Sequence, residues 1–189
     1  VLCFEQLLET KADLDALERS LSNVTDTDPI YIMYTSGSTG VPKGVTIPHI
    51  GVIDYAHWVV ERFGFDETTV MASQAPFYFD NSIFDIYGSM LAGGKLVIVP
   101  ENMYMFPGKL PQYLLEHDIT SIFWVPSVMI NVANSGALTG IDLPKLKNIA
   151  FCGEVMPNTQ LNIWRRALPG RCFANLYGPT EISDVCCYY

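Results

Sequence analysis

Positive charge is scarce in this chain. Eleven lysines and arginines stand against 20 aspartates and glutamates, for a formal net charge of −9. That balance argues against a nucleic-acid backbone or an anionic membrane surface as partner. It leaves ATP-sized phosphate ligands open, because a local loop binds phosphate inside an acidic protein. Long apolar runs are also missing: no stretch of about 18 apolar residues exists, so no membrane span is expected. Five cysteines is an odd count, with no spacing that resembles a disulfide framework or a zinc site. Adjacent Cys186 and Cys187 would point to opposite faces of a strand. Reduced thiols in a cytoplasmic protein are the default. Three histidines are too few and too scattered for a metal site; His49 and His57 have no spacing partner and read as structural. No internal repeat and no low-complexity tract is visible. The first residues have neither Met nor a basic stretch, so they are not a signal peptide. Val185 to Tyr189 reads as a strand cut short, which implies a piece of a longer protein. What is abundant is apolar: 49% of the 189 residues are hydrophobic and 16% charged. Those proportions fit one well-buried globular domain.

The most informative stretch is Tyr31 to Ile47. Ile30 to Tyr34 reads as a strand, and Val45 to Ile47 as a second. Between them lie Thr35-Ser36-Gly37-Ser38-Thr39-Gly40 and then Lys43. Glycines let backbone N–H groups converge, because they accept φ > 0 and crowd nothing. Convergent N–H groups, hydroxyls and an ammonium make a concavity suited to phosphate. It is not a Walker A loop, which needs Gly-Lys-Ser/Thr at the start of a helix. Here Pro42 precedes Lys43 and Gly44 follows it, so a strand–loop–strand hairpin is the better reading. A flexible Gly/Ser surface loop is the alternative.

Taken in order, residues 1–29 read as a helix over Leu7–Leu21 followed by a polar entry loop, whose Asp26 and Asp28 are solvated. After the hairpin, a helix runs from Pro48 to about Phe63 and stops at Gly64. A strand at 70–73 leads through a loop to a helix at 83–91, capped by Asn81 or Ser82 and ended by Gly93-Gly94. Strands follow at 95–99, 121–125, 146–151 and 171–176, and helices at 109–116, 127–134 and 158–168. Apolar strands alternating with helices predict an α/β fold, a mostly parallel sheet with helices on both faces. Ligands of such sheets bind at the carboxyl ends of the strands. Three loops with polar residues fall there: Asp80, Gly153-Glu154, and Tyr177-Gly-Pro-Thr-Glu181.

Tyr34-Thr-Ser-Gly-Ser-Thr-Gly-Val-Pro-Lys-Gly44 resembles the phosphate-loop signature of adenylate-forming enzymes. These include acyl-CoA synthetases, adenylation domains of nonribosomal peptide synthetases, and D-alanine–D-alanyl carrier protein ligases. The resemblance implies that Thr35–Gly40 and Lys43 hold the phosphates of ATP while a carboxylate attacks the α-phosphorus. This loop is expected to move without nucleotide, since nothing apolar anchors it. Asn175-Leu-Tyr-Gly-Pro-Thr-Glu181 resembles a second signature of the same family. By that match, Asn175, Leu176, Tyr177, Gly178 and Pro179 flank the nucleotide, Thr180 touches the α-phosphate, and Glu181 helps to hold Mg²⁺. The chemistry suits: Tyr177 offers a flat apolar face, and Glu181 a hard oxygen donor. Alone, the Tyr-Gly-Pro-Thr turn would be an ordinary strand-to-helix connection.

Phe79-Asp-Asn-Ser82 resembles the branch that activates amino acids, where the Asp pairs with the substrate α-ammonium. A carboxylate among Phe77, Tyr78, Phe79 and Phe84 would be costly to bury unpaired. The alternative is that Asp80 only caps the helix. Phe151-Cys-Gly-Glu-Val-Met-Pro-Asn158 is similar to D-alanine–D-alanyl carrier protein ligases, where a Cys narrows the pocket and Gly153-Glu154 packs beside adenine. Cys152 otherwise reads as a small buried hydrophobe. Phe123 and Leu176 fall on the expected pocket wall, with Phe84 and Gly178 beside them. One position departs from the D-alanine pattern: Asp184 stands where a small apolar residue is expected, and an acid there favours a polar or basic side chain.

The resemblance implies a partial adenylation core over residues 30–189, part of a large N-terminal domain. It lacks the ribose-binding Asp and the C-terminal lid with its lysine, so the piece alone is expected to be feeble. The implied activity is ATP- and Mg²⁺-dependent activation of a small amino acid, then transfer to a carrier-protein phosphopantetheine thiol. The D-alanine ligase subtype leads, a peptide-synthetase module for another amino acid is the alternative, and a noncatalytic nucleotide-binding module is a third reading.

Overall fold

A computed structural model describes residues 11–36 and 40–189. The beginning of the first helix expected from the sequence, and Gly37, Ser38 and Thr39 with their expected mobility, lie outside the described residues. The elements are α1 (Leu14–Leu21), β1 (Pro29–Thr35), β2 (Lys43–Pro48), α2 (His49–Phe63), β3 (Val70–Ser73), α3 (Asn81–Ala92), β4 (Lys95–Ile98), α4 (Leu110–Glu116), β5 (Ser121–Trp124), α5 (Pro126–Asn134), β6 (Asn148–Phe151), α6 (Asn158–Ala167), β7 (Cys172–Tyr177) and β8 (Cys187–Tyr188). Short 3₁₀ turns at 101–105, 107–109 and 180–182 join them.

β1 and β2 form a separate antiparallel hairpin whose last rung pairs Thr35 with Lys43. The main sheet has the order β4-β3-β5-β6-β7-β8. Its first five strands run parallel, and β8 returns antiparallel to β7. Successive residues of a strand face opposite sides, and that parity sorts the core into two layers. Ala72, Ile122, Trp124, Ile149 and Phe151 pack on the side covered by α4, α5 and α6. Met71, Phe123, Ala150, Cys152, Ala174 and Leu176 pack on the side of α2 and α3. The α/β sheet with helices on both faces is therefore as the sequence predicts.

Helix ends follow their local chemistry. Gly64 and Gly93 close α2 and α3 in the left-handed conformation, with φ of 62° and 68°, where a Cβ would be strained. The carbonyls of Asp28 and Asp26 accept the first free N–H groups of α2, from His49 and Ile50. α3 begins at Asn81, two residues earlier than expected, with Asp80 as its cap.

The chain path creates one topological switch. From β3 it passes leftward to β4, then returns to lay β5 on the other side of β3. The loop after β3 climbs to α3 on one face, and the loop after β5 to α5 on the other. A crevice must open between the carboxyl ends of β3 and β5.

Candidate active site

The carboxyl edge of the sheet gathers the chemistry-bearing loops. Asp80 leaves the β3–α3 loop and Thr180 the turn after β7. The Thr180 hydroxyl donates to Asp80 Oδ2, and the Asn81 N–H donates to Oδ1 at 3.0 Å. Asp80 is thus both a helix cap and a bridge between two loops. One expectation is corrected: Asp80 is half-buried, and Phe77, Tyr78 and Phe79 point to solvent with 54%, 74% and 54% of their surface exposed. The loop has too few neighbours to bury three aromatics, so they do not wrap the carboxylate.

Phe84, Phe123, Cys152 and Leu176 are brought together, as expected, by strand parity and the inner face of α3. Each is buried. Phe84 and Phe123 have ring centroids 4.5 Å apart, and Phe84 also meets Tyr55, Phe63 and Phe65. Both rings belong to the packed core beneath the loop. The sheet register sets Cys152 level with Leu176, one step past the Phe151–Asn175 pair.

Asp184 joins this cluster from the turn after β7. It is 2% exposed, and its Oδ2 accepts the Tyr55 hydroxyl at 2.8 Å. Burial lifts its carboxyl to about 7; the Tyr55 hydrogen bond opposes that shift and the Asp80 charge adds to it. The same setting pushes the Cys152 thiol up to about 11, through burial first and the Asp184 charge second. Tyr31 of β1 is pushed up to about 12 by burial, then by Asp80 and Asp184. Its hydroxyl is buried and has no hydrogen-bond partner. Tyr31, Tyr34, Tyr78, Asp80 and Thr180 line a cavity of about 360 Å³.

Gly178 holds this turn closed. A Cβ there would overlap the Asp184 carbonyl and stand 2.7 Å from Val185 Cα. The backbone after Tyr177 folds directly onto the backbone at Asp184, and only glycine permits that approach. Tyr177 is exposed on the outer side of the turn, as are Asn175, Pro179 and Glu181.

β2 of the hairpin lies beside the 180–182 turn. Lys43, Ser36 and Gly40 are exposed, and Thr35 is half-buried. Gly153 takes a φ of 91° and turns the chain toward Glu154. The Glu154 carboxylate accepts the Ser127 N–H at 2.8 Å and its hydroxyl at 3.2 Å. It thereby caps the start of α5, a contact the sequence did not suggest. At the switch point, a cleft of about 950 Å³ runs between Ser73-Gln74, Pro100, Tyr104, Val125 and Tyr78.

Tyr31 and Tyr55 are the residues that sequence reasoning missed. Tyr55 had a signal: it sits with Val52, Ala56 and Val59 on the buried face of α2, and a tyrosine on such a face needs a partner for its hydroxyl. Tyr31 had only the alternation of its strand.

The family described as AMP-binding enzyme matches residues 2–189. An L-proline--[L-prolyl-carrier protein] ligase of Pseudomonas fluorescens is 38% identical over 159 residues, 84% of this chain and 32% of the relative. A D-alanine--D-alanyl carrier protein ligase of Bacillus cytotoxicus is 37% identical over 160 residues, 85% of this chain and 32% of the relative. The crystal structure of the Vibrio cholerae adenylation domain AlmE in complex with glycyl-adenosine-5′-phosphate superposes with a TM-score of 0.79 at 28% identity, over 95% of this chain and 33% of that one. The chain therefore spans about a third of the length of the relatives it matches. With one family covering almost every residue, the chain belongs to the AMP-binding, adenylate-forming enzymes.

Proposed function

We propose that the protein containing this chain activates a small amino acid with ATP and hands it to a carrier-protein thiol. The observation that carries the reading is the meeting of Asp80 and Thr180 at the carboxyl edge of the sheet. One is the residue expected at the substrate ammonium, the other the residue expected at the α-phosphate. In this reading the amino-acid carboxylate attacks the α-phosphorus, the bond to the bridging oxygen breaks, and pyrophosphate leaves. Asp80 fixes the ammonium by charge-assisted hydrogen bonds. Thr35–Gly40 and Lys43 hold the β- and γ-phosphates, and Tyr177 with Gly153 flanks adenine.

Glu181 is the residue we assign to Mg²⁺. It is exposed, and no cluster of three acidic, histidine or cysteine side chains that could hold a metal exists among the described residues. That fits Mg²⁺, which is commonly held by one or two carboxylates together with substrate phosphates. When bound, the ion would neutralise charge on the phosphates. The cleft at the switch point shares Tyr78 with the Asp80 cavity and is mostly apolar. We assign this cleft to the phosphopantetheine arm of the carrier protein, since it opens beside the Asp80 cavity.

A stand-alone carrier ligase and a peptide-synthetase module are the two settings for this chemistry; the curated relatives favour the first. The test is amino-acid-dependent exchange of pyrophosphate into ATP by the full-length protein. Exchange that depends on an amino acid supports the reading. ATP binding without any exchange would make the protein a noncatalytic nucleotide-binding module.

A further inference from the structure

We propose that Asp85, with the hydroxyls of Ser73 and Ser89, forms a buried site for one monovalent inorganic cation of sodium or potassium size, behind the wall of the switch-point cleft.

The fold brings three oxygen-bearing side chains to the seam between α3 and β3. Asp85 and Ser89 stand four residues apart in α3, one turn apart on the same helix face. They are 0% and 2% exposed. Ser73 ends β3 and is also buried. Two residues on from Met71, it faces the same side of the sheet, the side that α3 covers. Both carboxylate oxygens of Asp85 and the Oγ atoms of Ser73 and Ser89 are buried without a hydrogen-bond partner among the described residues. Burial pushes the Asp85 carboxyl well above the usual carboxylate range; the nearby Ser73 hydroxyl opposes that shift, the Asp184 charge adds to it, and the Gln74 N–H opposes it.

The chemistry of these oxygens defines their guest. Hard oxygen donors select a hard cation. One carboxylate with two neutral hydroxyls balances a single positive charge, and a divalent ion would keep an excess. Water would satisfy hydrogen bonds but leave the buried charge unpaired, which is costly. No side chain supplies the cation. The one ion pair among the described residues joins Lys145 to Asp118. The titratable groups that face Asp85 are Asp184 from the turn after β7, Tyr55 of α2 and Tyr104 of the 101–105 turn, and none of them is basic. Asp85 is already fully covered within this chain, so a guest has to be small enough to pass between packed side chains. Ser73 marks the way in, because it also lines the cleft of about 950 Å³. A filled site would tie the end of β3 to the helix that Asp80 caps.

The experiment follows the melting temperature of the full-length protein in potassium, sodium and tetramethylammonium acetate at one ionic strength. Tetramethylammonium is too large for the site. Raising potassium or sodium from about 1 to about 200 mM should lift the melting temperature by about 2 °C or more, with saturation. A proton competes for the same carboxylate, so the gain should be larger at pH 8 than at pH 5. Asp85→Asn should abolish it and Ser89→Ala should shrink it. Crystals of the unmodified protein soaked in thallium(I) acetate should show an anomalous peak between Asp85 and Ser73, a readout that stands even where a variant fails to fold. Equal melting temperatures in the three salts, a gain that survives Asp85→Asn, or an ordered water in place of the thallium peak overturns the inference.

Discussion

The hydroxyl of Thr180 donates to Oδ2 of Asp80, joining two loops that are 100 residues apart in sequence. The bond ties the start of α3 to the turn after β7 at one edge of the sheet. A group that displaces it would lie between the ammonium end and the phosphate end of the proposed reaction.

Asp80→Asn separates anchoring from capping. Asparagine caps a helix about as well as aspartate, so the melting temperature should stay within a few degrees. The lost charge should raise the amino-acid KM by about 10- to 100-fold, the size expected for a hydrogen bond between charged groups. The larger loss typical of a fully buried pair is not expected, because Asp80 is only half-buried. The ATP KM should hardly move. Steady-state exchange kinetics decide: an unchanged amino-acid KM reduces Asp80 to a helix cap.

Lys43 closes the hairpin at the rung opposite Thr35 and is exposed to solvent. Lys43→Ala should weaken ATP roughly tenfold, about 1.4 kcal/mol, and leave the amino acid nearly unaffected. Raising ionic strength should shrink the difference, since exposed charges are screened. Equal effects on both substrates would remove Lys43 from the phosphates.

Glu181→Gln keeps size and removes charge. The Mg²⁺ concentration for half-maximal exchange should rise several-fold, with the amino-acid KM steady. A superimposable Mg²⁺ titration returns Glu181 to the protein surface as an ordinary residue.

Asp184 gives a pH signature of stability. Its carboxyl is lifted from 3.8 to about 7 on folding, by burial first. The folded state therefore holds a proton that the unfolded state has lost, and ∂ΔG/∂pH is negative between those values. The contribution is full below about pH 4 and is lost as pH rises through 7. Asp85, wholly buried and also raised, acts in the same direction. Denaturant midpoints of the full-length protein should fall between pH 5 and 8, and Asp184→Asn should flatten that slope. A slope identical in the variant would mean that Asp184 is ionised in the folded protein.

The layers of the fold were legible because they rest on local rules. Apolar strands announced a parallel sheet, and Gly64 and Gly93 announced two helix ends. Residue parity then carried Phe123, Cys152 and Leu176 to one face. The surroundings of Asp80 were not legible. Phe77, Tyr78 and Phe79 sit in a loop with no periodicity, so nothing local tells which way they turn. The Tyr55–Asp184 bond spans 129 residues and depends on α2 packing against the end of β7. The link from Glu154 to Ser127 likewise crosses from the loop after β6 to the start of α5. Such contacts follow from tertiary packing, which no short window of sequence contains.

The missing side chain at Gly178 has a mechanical consequence. With backbone pressed on backbone at Gly178 and Asp184, the turn has no slack between its two ends. A side chain at 178 would have to push the two ends of the turn apart, and Tyr177 on one side and Thr180 on the other would move with them.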